Sequence, residues 1–433
     1  MTAEIAVFNA SAIALAADSA VTTGFDDRVK IYNSAEKLFE LSKHHPVGLM
    51  IYNNSTLCNA PWELIIKSYR KQLGNRSFAH LKDYADDLFT YIANNKAIIT
   101  DEMRSQSVEK IIETEIRKVV LEVNNNDIVI YMQTNRQEPT FDIFHSLLKN
   151  RIESKINTID SMPYLNGFDA SNIDEVEISI MPIIEKVIEE QIPKEAGRTV
   201  PDELKSALIL YFTKLIYKQS SCDIYSGIVF AGYGDNEYYP SLVSLHVHGI
   251  YQDKPLFYFN ESKSHNNTSL SAIIPFAQEE EVVSFIEGCN SSISDFTQTL
   301  ANELVNRARH FVDNQVIQHL HADERERLIN EINQLWPTLL GDFIHKRQRF
   351  VIEKHVDKVI SMLSSLSKHD LAYMAESLVN LTAFKRKVSN EHDTVGGPID
   401  VAVISKGDGF IWVKRKHYFK PELNSNFFNR SSI

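Results

Sequence analysis

The opening of the chain constrains its fold more than any other stretch. Ile5-Ala-Val-Phe8 and Ile13-Ala-Leu-Ala-Ala17 are short apolar runs, parted by the polar Asn9 and Ser11. Runs of this kind joined by a tight connection predict a hairpin of two buried strands. The hairpin starts almost at once, because only Met1, Thr2, Ala3 and Glu4 precede it. Methionine before a small residue is readily trimmed, which would leave Thr2 with a hydroxyl and a free α-amine on one residue. Such an amine titrates near about 7.7–8.0, so it can serve as a base at neutral pH. A hydroxyl needs a base beside it to become a nucleophile, and an N-terminal amine is one way to supply it.

Further residues fall into order behind this start. Asp18 closes the second run. Lys37 lies in Ala35-Glu-Lys37-Leu-Phe-Glu-Leu41, and Pro46-Val-Gly48-Leu-Met-Ile-Tyr52-Asn53 is another buried run containing glycine. Much later come Ser226-Gly-Ile-Val-Phe-Ala-Gly232, Pro240-Ser-Leu-Val-Ser-Leu245 and, near the end, Val395-Gly396-Gly397-Pro-Ile-Asp-Val-Ala-Val-Ile404.

Thr, Asp, Lys and the Gly-Gly strand pair, in this order, resemble the proteasome β-subunit and its bacterial ATP-dependent relative. These belong to the N-terminal-nucleophile (Ntn) hydrolases. The resemblance implies an α+β fold, a four-layer αββα sandwich, here with large helical insertions. It implies catalytic roles for Thr2, Asp18 and Lys37: a Thr2 hydroxyl attacking an amide carbonyl, a Lys37 ammonium easing its deprotonation, and Asp18 holding that lysine. It places the oxyanion donor at Tyr52 or Asn53, and a supporting carboxylate at Asp393. The activity implied is threonine-type hydrolysis of peptide or protein substrates. The alternatives are a non-catalytic structural or interaction protein on the same sandwich, and a small-molecule amidohydrolase. A homo-oligomer is implied by resemblance, and any regulatory partner is unspecified.

The chain also departs from the family's pattern. Tyr52-Asn53 stands where the family carries glycines, a supporting serine has no match around Ile274-Pro-Phe-Ala-Gln278, and His392-Asp393-Thr-Val395 replaces the motif before the Gly-Gly.

Composition excludes other classes. With 45 Lys and Arg against 57 Asp and Glu, the formal charge of −12 gives no basic face for nucleic acid. Cys58, Cys222 and Cys289 are an odd number without paired spacing, so neither a disulfide framework nor a zinc site is expected and a cytoplasmic setting is. Ala14-Leu-Ala16 follows an apolar stretch but lacks a basic region before it, which argues against a secretion signal. No run reaches the roughly 18–20 apolar residues of a membrane span.

Along the chain, residues 1–73 read as the N-terminal part of the core and 74–220 as a mostly helical insertion. Residues 221–290 read as central strands, 291–390 as a helical segment and 391–433 as the closing strands. Asn59 and Pro61 predict the start of a first helix, and Ser77 that of a second. Asp127-Ile-Val-Ile-Tyr-Met132 predicts a short strand, and Pro337 and Gly341 predict breaks in the late helical region. His246-Val-His248 puts two imidazoles on one strand face without a third ligand in view, so neither metal nor other cofactor is expected. Gly232-Tyr-Gly234-Asp235 reads as a turn, and Glu279-Glu-Glu281 as a solvated helix start.

Overall fold

The computed structural model describes residues 3–23, 30–195, 197–219, 222, 224–265, 270–316, 321–389 and 395–426. Its elements open with β1 (Glu4–Asn9), β2 (Ala12–Ala17), β3 (Val21–Thr23) and β4 (Lys30–Tyr32). Next come β5 (Leu38–Glu40), β6 (Val47–Asn53), the short ladder β7 (Thr56–Leu57) and β8 (Ala60–Pro61), then α1 (Trp62–Leu73) and α2 (Leu81–Asn94). A helical run follows: α3 (Asp101–Glu122), α4 (Ile128–Asn135), α5 (Phe141–Asp160), α6 (Ile173–Gln191) and α7 (Asp202–Tyr217). Strands return as β9 (Ser226–Gly232), β10 (Ser241–Tyr251), β11 (Lys254–Phe259) and β12 (Ala272–Ala277). The last helices are α8 (Glu280–Glu287), α9 (Ser291–Phe311), α10 (Ala322–Val351), α11 (Asp357–Leu363) and α12 (Lys368–Val388), before β13 (Asp400–Ser405) and β14 (Gly409–Lys414).

The chain divides into two units. The first holds 1–35, 267–403 and 411–433, and the second 36–266 with 404–410. In the first, the strand order is β12-β1-β2-β13-β14. β1 and β2 form the expected antiparallel hairpin, with Ile5 opposite Ala16 and Phe8 opposite Ile13. Every residue of both strands is buried. Helix α12 covers one face, where Leu371, Ala375 and Leu378 pack with Val7, Ala14 and Val401. Its start is set by a capping box between Ser367 and Asp370. Asn9 ties the hairpin to the end of α11, donating to the carbonyls of Leu363 and Leu366 at 2.9 Å each.

In the second unit the order is β11-β10-β9-β6-β5. Helices α1 and α2 cover this sheet through Trp62, Ile65, Tyr69, Tyr84 and Leu88, which pack with Leu49, Ile51, Phe230 and Leu245. The run α3–α7 builds a further core of its own around Ile112, Leu148, Ile184 and Phe212. The buried Arg104 fastens that insertion to the sheet. Its guanidinium donates to the carbonyls of Ile92, Ala93, Ile99 and Gln252 and to the Asp253 carboxylate. The fold is thus α+β, each unit an antiparallel sheet with helices against it, enlarged by helical insertions.

Three local expectations are corrected. Residues 127–132 are not a strand: Val123–Asp127 is a π-helical turn that continues directly into α4. Pro337 and Gly341 do not break the late helix, since α10 runs through both. Pro337 and Asn333 are exposed, so the carbonyl that loses its amide partner is open to water. Helix α1 begins at Trp62 with Pro61, not Asn59, at its cap, and α2 begins at Leu81 after His80. Among the described residues no helix is long and apolar enough to cross a membrane.

Candidate functional site

The end of β2 places Asp18 in the interior of the first unit, 1 % exposed. Its Oδ1 accepts from the Ala3 amide at 3.1 Å, and its Oδ2 from Ala20 at 3.3 Å and Gly396 at 2.9 Å. The Asp18 amide in turn donates to the Ala3 carbonyl at 3.1 Å. Ser19 extends the junction, its amide donating to the Gly396 carbonyl and its hydroxyl to the Pro398 carbonyl. Gly397 is required here: its φ is +77°, and a Cβ would lie 2.8 Å from the Cβ of Asn33. One carboxylate thus fixes the start of β1, the exit of β2 and the turn before β13. The sequence marked Asp18 and the Gly-Gly separately, but not that the amides of Ala3, Ala20 and Gly396 converge on the aspartate.

Lys37, in the second unit, is 3 % exposed and stands just before β5. Its carbonyl accepts from the Ile51 amide at 2.8 Å, which brings it beside the end of β6 and so beside Tyr52 and Asn53. Asn53 has φ +67°. Asparagine tolerates this left-handed conformation better than other side-chain-bearing residues, which accounts for a non-glycine at this position. Its Nδ2 donates to the Tyr225 carbonyl at 2.9 Å. Thr2 and Asp393 lie outside the described residues.

Tyr52 belongs to a polar cluster that the sequence did not reveal. Its ring lies flat over Gly227 of β9, where a Cβ would meet it at 2.0 Å. The Tyr52 hydroxyl is 3.0 Å from His246 Nε2, and the Tyr258 hydroxyl is 2.9 Å from Nδ1. Asn260 Nδ2 approaches the same Nε2 at 3.3 Å, and Tyr225 stacks on the imidazole at 4.3 Å. Both His246 nitrogens are therefore engaged by tyrosine hydroxyls. His248 instead points Nδ1 at the Ile224 carbonyl, 3.0 Å away. Burial pushes both imidazoles down to about 4, His248 adding repulsion to His246 and the Ile224 carbonyl partly offsetting the effect at His248. The one hint in the sequence was the alternation His246-Val-His248. Its partners come from strands and loops distant in the chain.

The strand orders, with the N-terminal hairpin central in its sheet and the Asp18–Gly396 junction at its end, are in keeping with the α+β fold that the sequence resemblance implies. No family model matches the chain, and no characterised protein sequence matches it. Solved structures do. The chain is similar to an Anbu (Gly-1) mutant from Hyphomicrobium sp. strain MC1, at 10 % identity over 100 % of this chain and 94 % of that one, TM-score 0.31. It is similar to Anbu (ancestral beta-subunit) from Yersinia bercovieri, at 9 % identity over 99 % and 95 %, TM-score 0.28. It is also similar to the helical assembly of the Anbu complex from Pseudomonas aeruginosa, at 10 % identity over 100 % and 93 %, TM-score 0.27.

The expectation of a threonine-type peptide hydrolase, and with it the description of the chain as a threonine protease, is corrected here. The likeness is to Anbu structures, a Gly-1 mutant among them, and gives peptide cleavage through an N-terminal threonine no support. Asp18 accepts from three backbone amides and so ties the strand ends together.

Proposed function

We propose that this chain is a non-catalytic structural protein of the Ntn fold that assembles with copies of itself. The observation that carries the reading is helix α9. It buries none of its residues, yet Ile293, Phe296, Leu300, Leu304 and Phe311 recur along one face, between 44 % and 66 % exposed. An amphipathic helix with its apolar stripe uncovered is the mark of an interface. The outer side of α12 repeats the pattern with Tyr373, Leu381, Phe384 and Val388. A second copy of the chain is the partner we assign to these faces, in line with the homo-oligomer implied by the sequence resemblance and with the helical assembly described for the Pseudomonas Anbu complex. Cys58, Cys222 and Cys289 form no disulfide, which suits a reducing cytoplasm.

The paired substitution Leu300→Glu with Leu304→Glu tests this. Light scattering after size exclusion is expected to show a large species for the parent chain and a smaller one for the variant, with unchanged circular dichroism. Equal masses for the two would overturn the assignment of α9.

A further inference from the structure

A small cavity of about 30 Å³ lies in the second unit, bounded by Thr56, Cys58 and Asn59 of the β6–α1 connection, Ser107 and Lys110 of α3, and His248 of β10. The state of His248 follows from its neighbours. A carbonyl can only accept, so the Nδ1 facing the Ile224 carbonyl carries the ring proton. Burial keeps the imidazole neutral, which leaves a lone pair on Nε2. That atom is buried and has no hydrogen-bond partner among the described residues. A buried acceptor without a donor costs about 1–3 kcal/mol. A cavity needs roughly 10–15 Å³ to take a water molecule, so this one has room for one.

We propose that a single water molecule is bound in this cavity as a fixed part of the unit, donating to His248 Nε2 and bridging β10 to the β6–α1 connection. The polar wall does not suit an apolar occupant. Among the side chains that line it, only His248 and Cys58 offer metal-ligating groups, too few to hold a metal ion. The bridge has a purpose in the backbone. Asn53, Cys58 and Asn59 have φ values of 67°, 48° and 66°, and such residues persist only where their surroundings over-determine them. A water held between His248 and the polar groups of 56–59 supplies part of that constraint.

High-resolution crystal structures of the full chain and of its His248→Leu variant test the proposal. The parent is expected to show one spherical density peak about 2.7–3.2 Å from His248 Nε2, without anomalous signal, and the variant to lose it. An absent peak in the parent, a peak with the anomalous signature of a metal, or a peak that persists unchanged in the variant would each overturn it. If the leucine variant fails to fold, His248→Phe serves the same comparison, since it also removes the acceptor while keeping a planar ring.

Discussion

Asp18 holds three buried amides, so its contribution is one of order at the strand ends. Replacing it with alanine strips the acceptor from Ala3, Ala20 and Gly396 together. At about 1–3 kcal/mol for each buried amide left without a partner, the loss comes to at least roughly 3 kcal/mol. Denaturant unfolding of Asp18→Ala should show that loss, and a midpoint within error of the parent's would refute the role. The imidazoles of His246 and His248, framed by Tyr52, Tyr225, Tyr258 and Asn260, titrate at about 4 in the folded chain against the ordinary value of 6.5. Unfolded, they bind protons below about pH 6.5 that the folded form refuses until about pH 4. Stability therefore falls with pH across that window and gains nothing from it above. Thermal melts of His246→Gln at pH 6.5 and pH 4.5 should show a smaller decline than the parent's.

At the scale of elements, the sequence was clear where a run is both apolar and bounded by turn residues. The β1–β2 hairpin, β6, β9, β10 and the closing pair β13–β14 all answer to that description. It misled where local preference met tertiary packing. Ile128, Val129 and Ile130 favour strands, but the segment continues α3 and leads into a helical layer with its own core, so it is helical. Pro337 is tolerated because it faces solvent. The polar side of the site was the least legible part. The partners of Tyr52, His246 and Asp18 are brought together by sheet register, which spacing along the chain does not encode. Arg104 is a further case: nothing around it in sequence marks it as the tie between α2, α3 and the β10–β11 turn. Arg104→Ala leaves the carbonyls of Ile92, Ala93, Ile99 and Gln252 without their guanidinium donor, and at about 1–3 kcal/mol for a buried acceptor left unpaired should lower stability measurably in equilibrium unfolding. Arg104→Lys should recover only part of this, because an ammonium cannot reproduce the planar fork.

On the scale of the whole molecule, the chain has two five-stranded antiparallel sheets, the Asp18–Gly396 junction and a buried Lys37, features that in the sequence pointed toward hydrolysis. Around them it adds helices whose apolar faces are turned outward, a surface that a lone chain would leave wet. Architecture alone does not carry chemistry. Sedimentation velocity of the unmodified chain over a range of concentrations tests the central claim most directly. The account predicts a species several times the 49.5 kDa of one chain, persisting on dilution, whereas a single species at the mass of one chain throughout would contradict it.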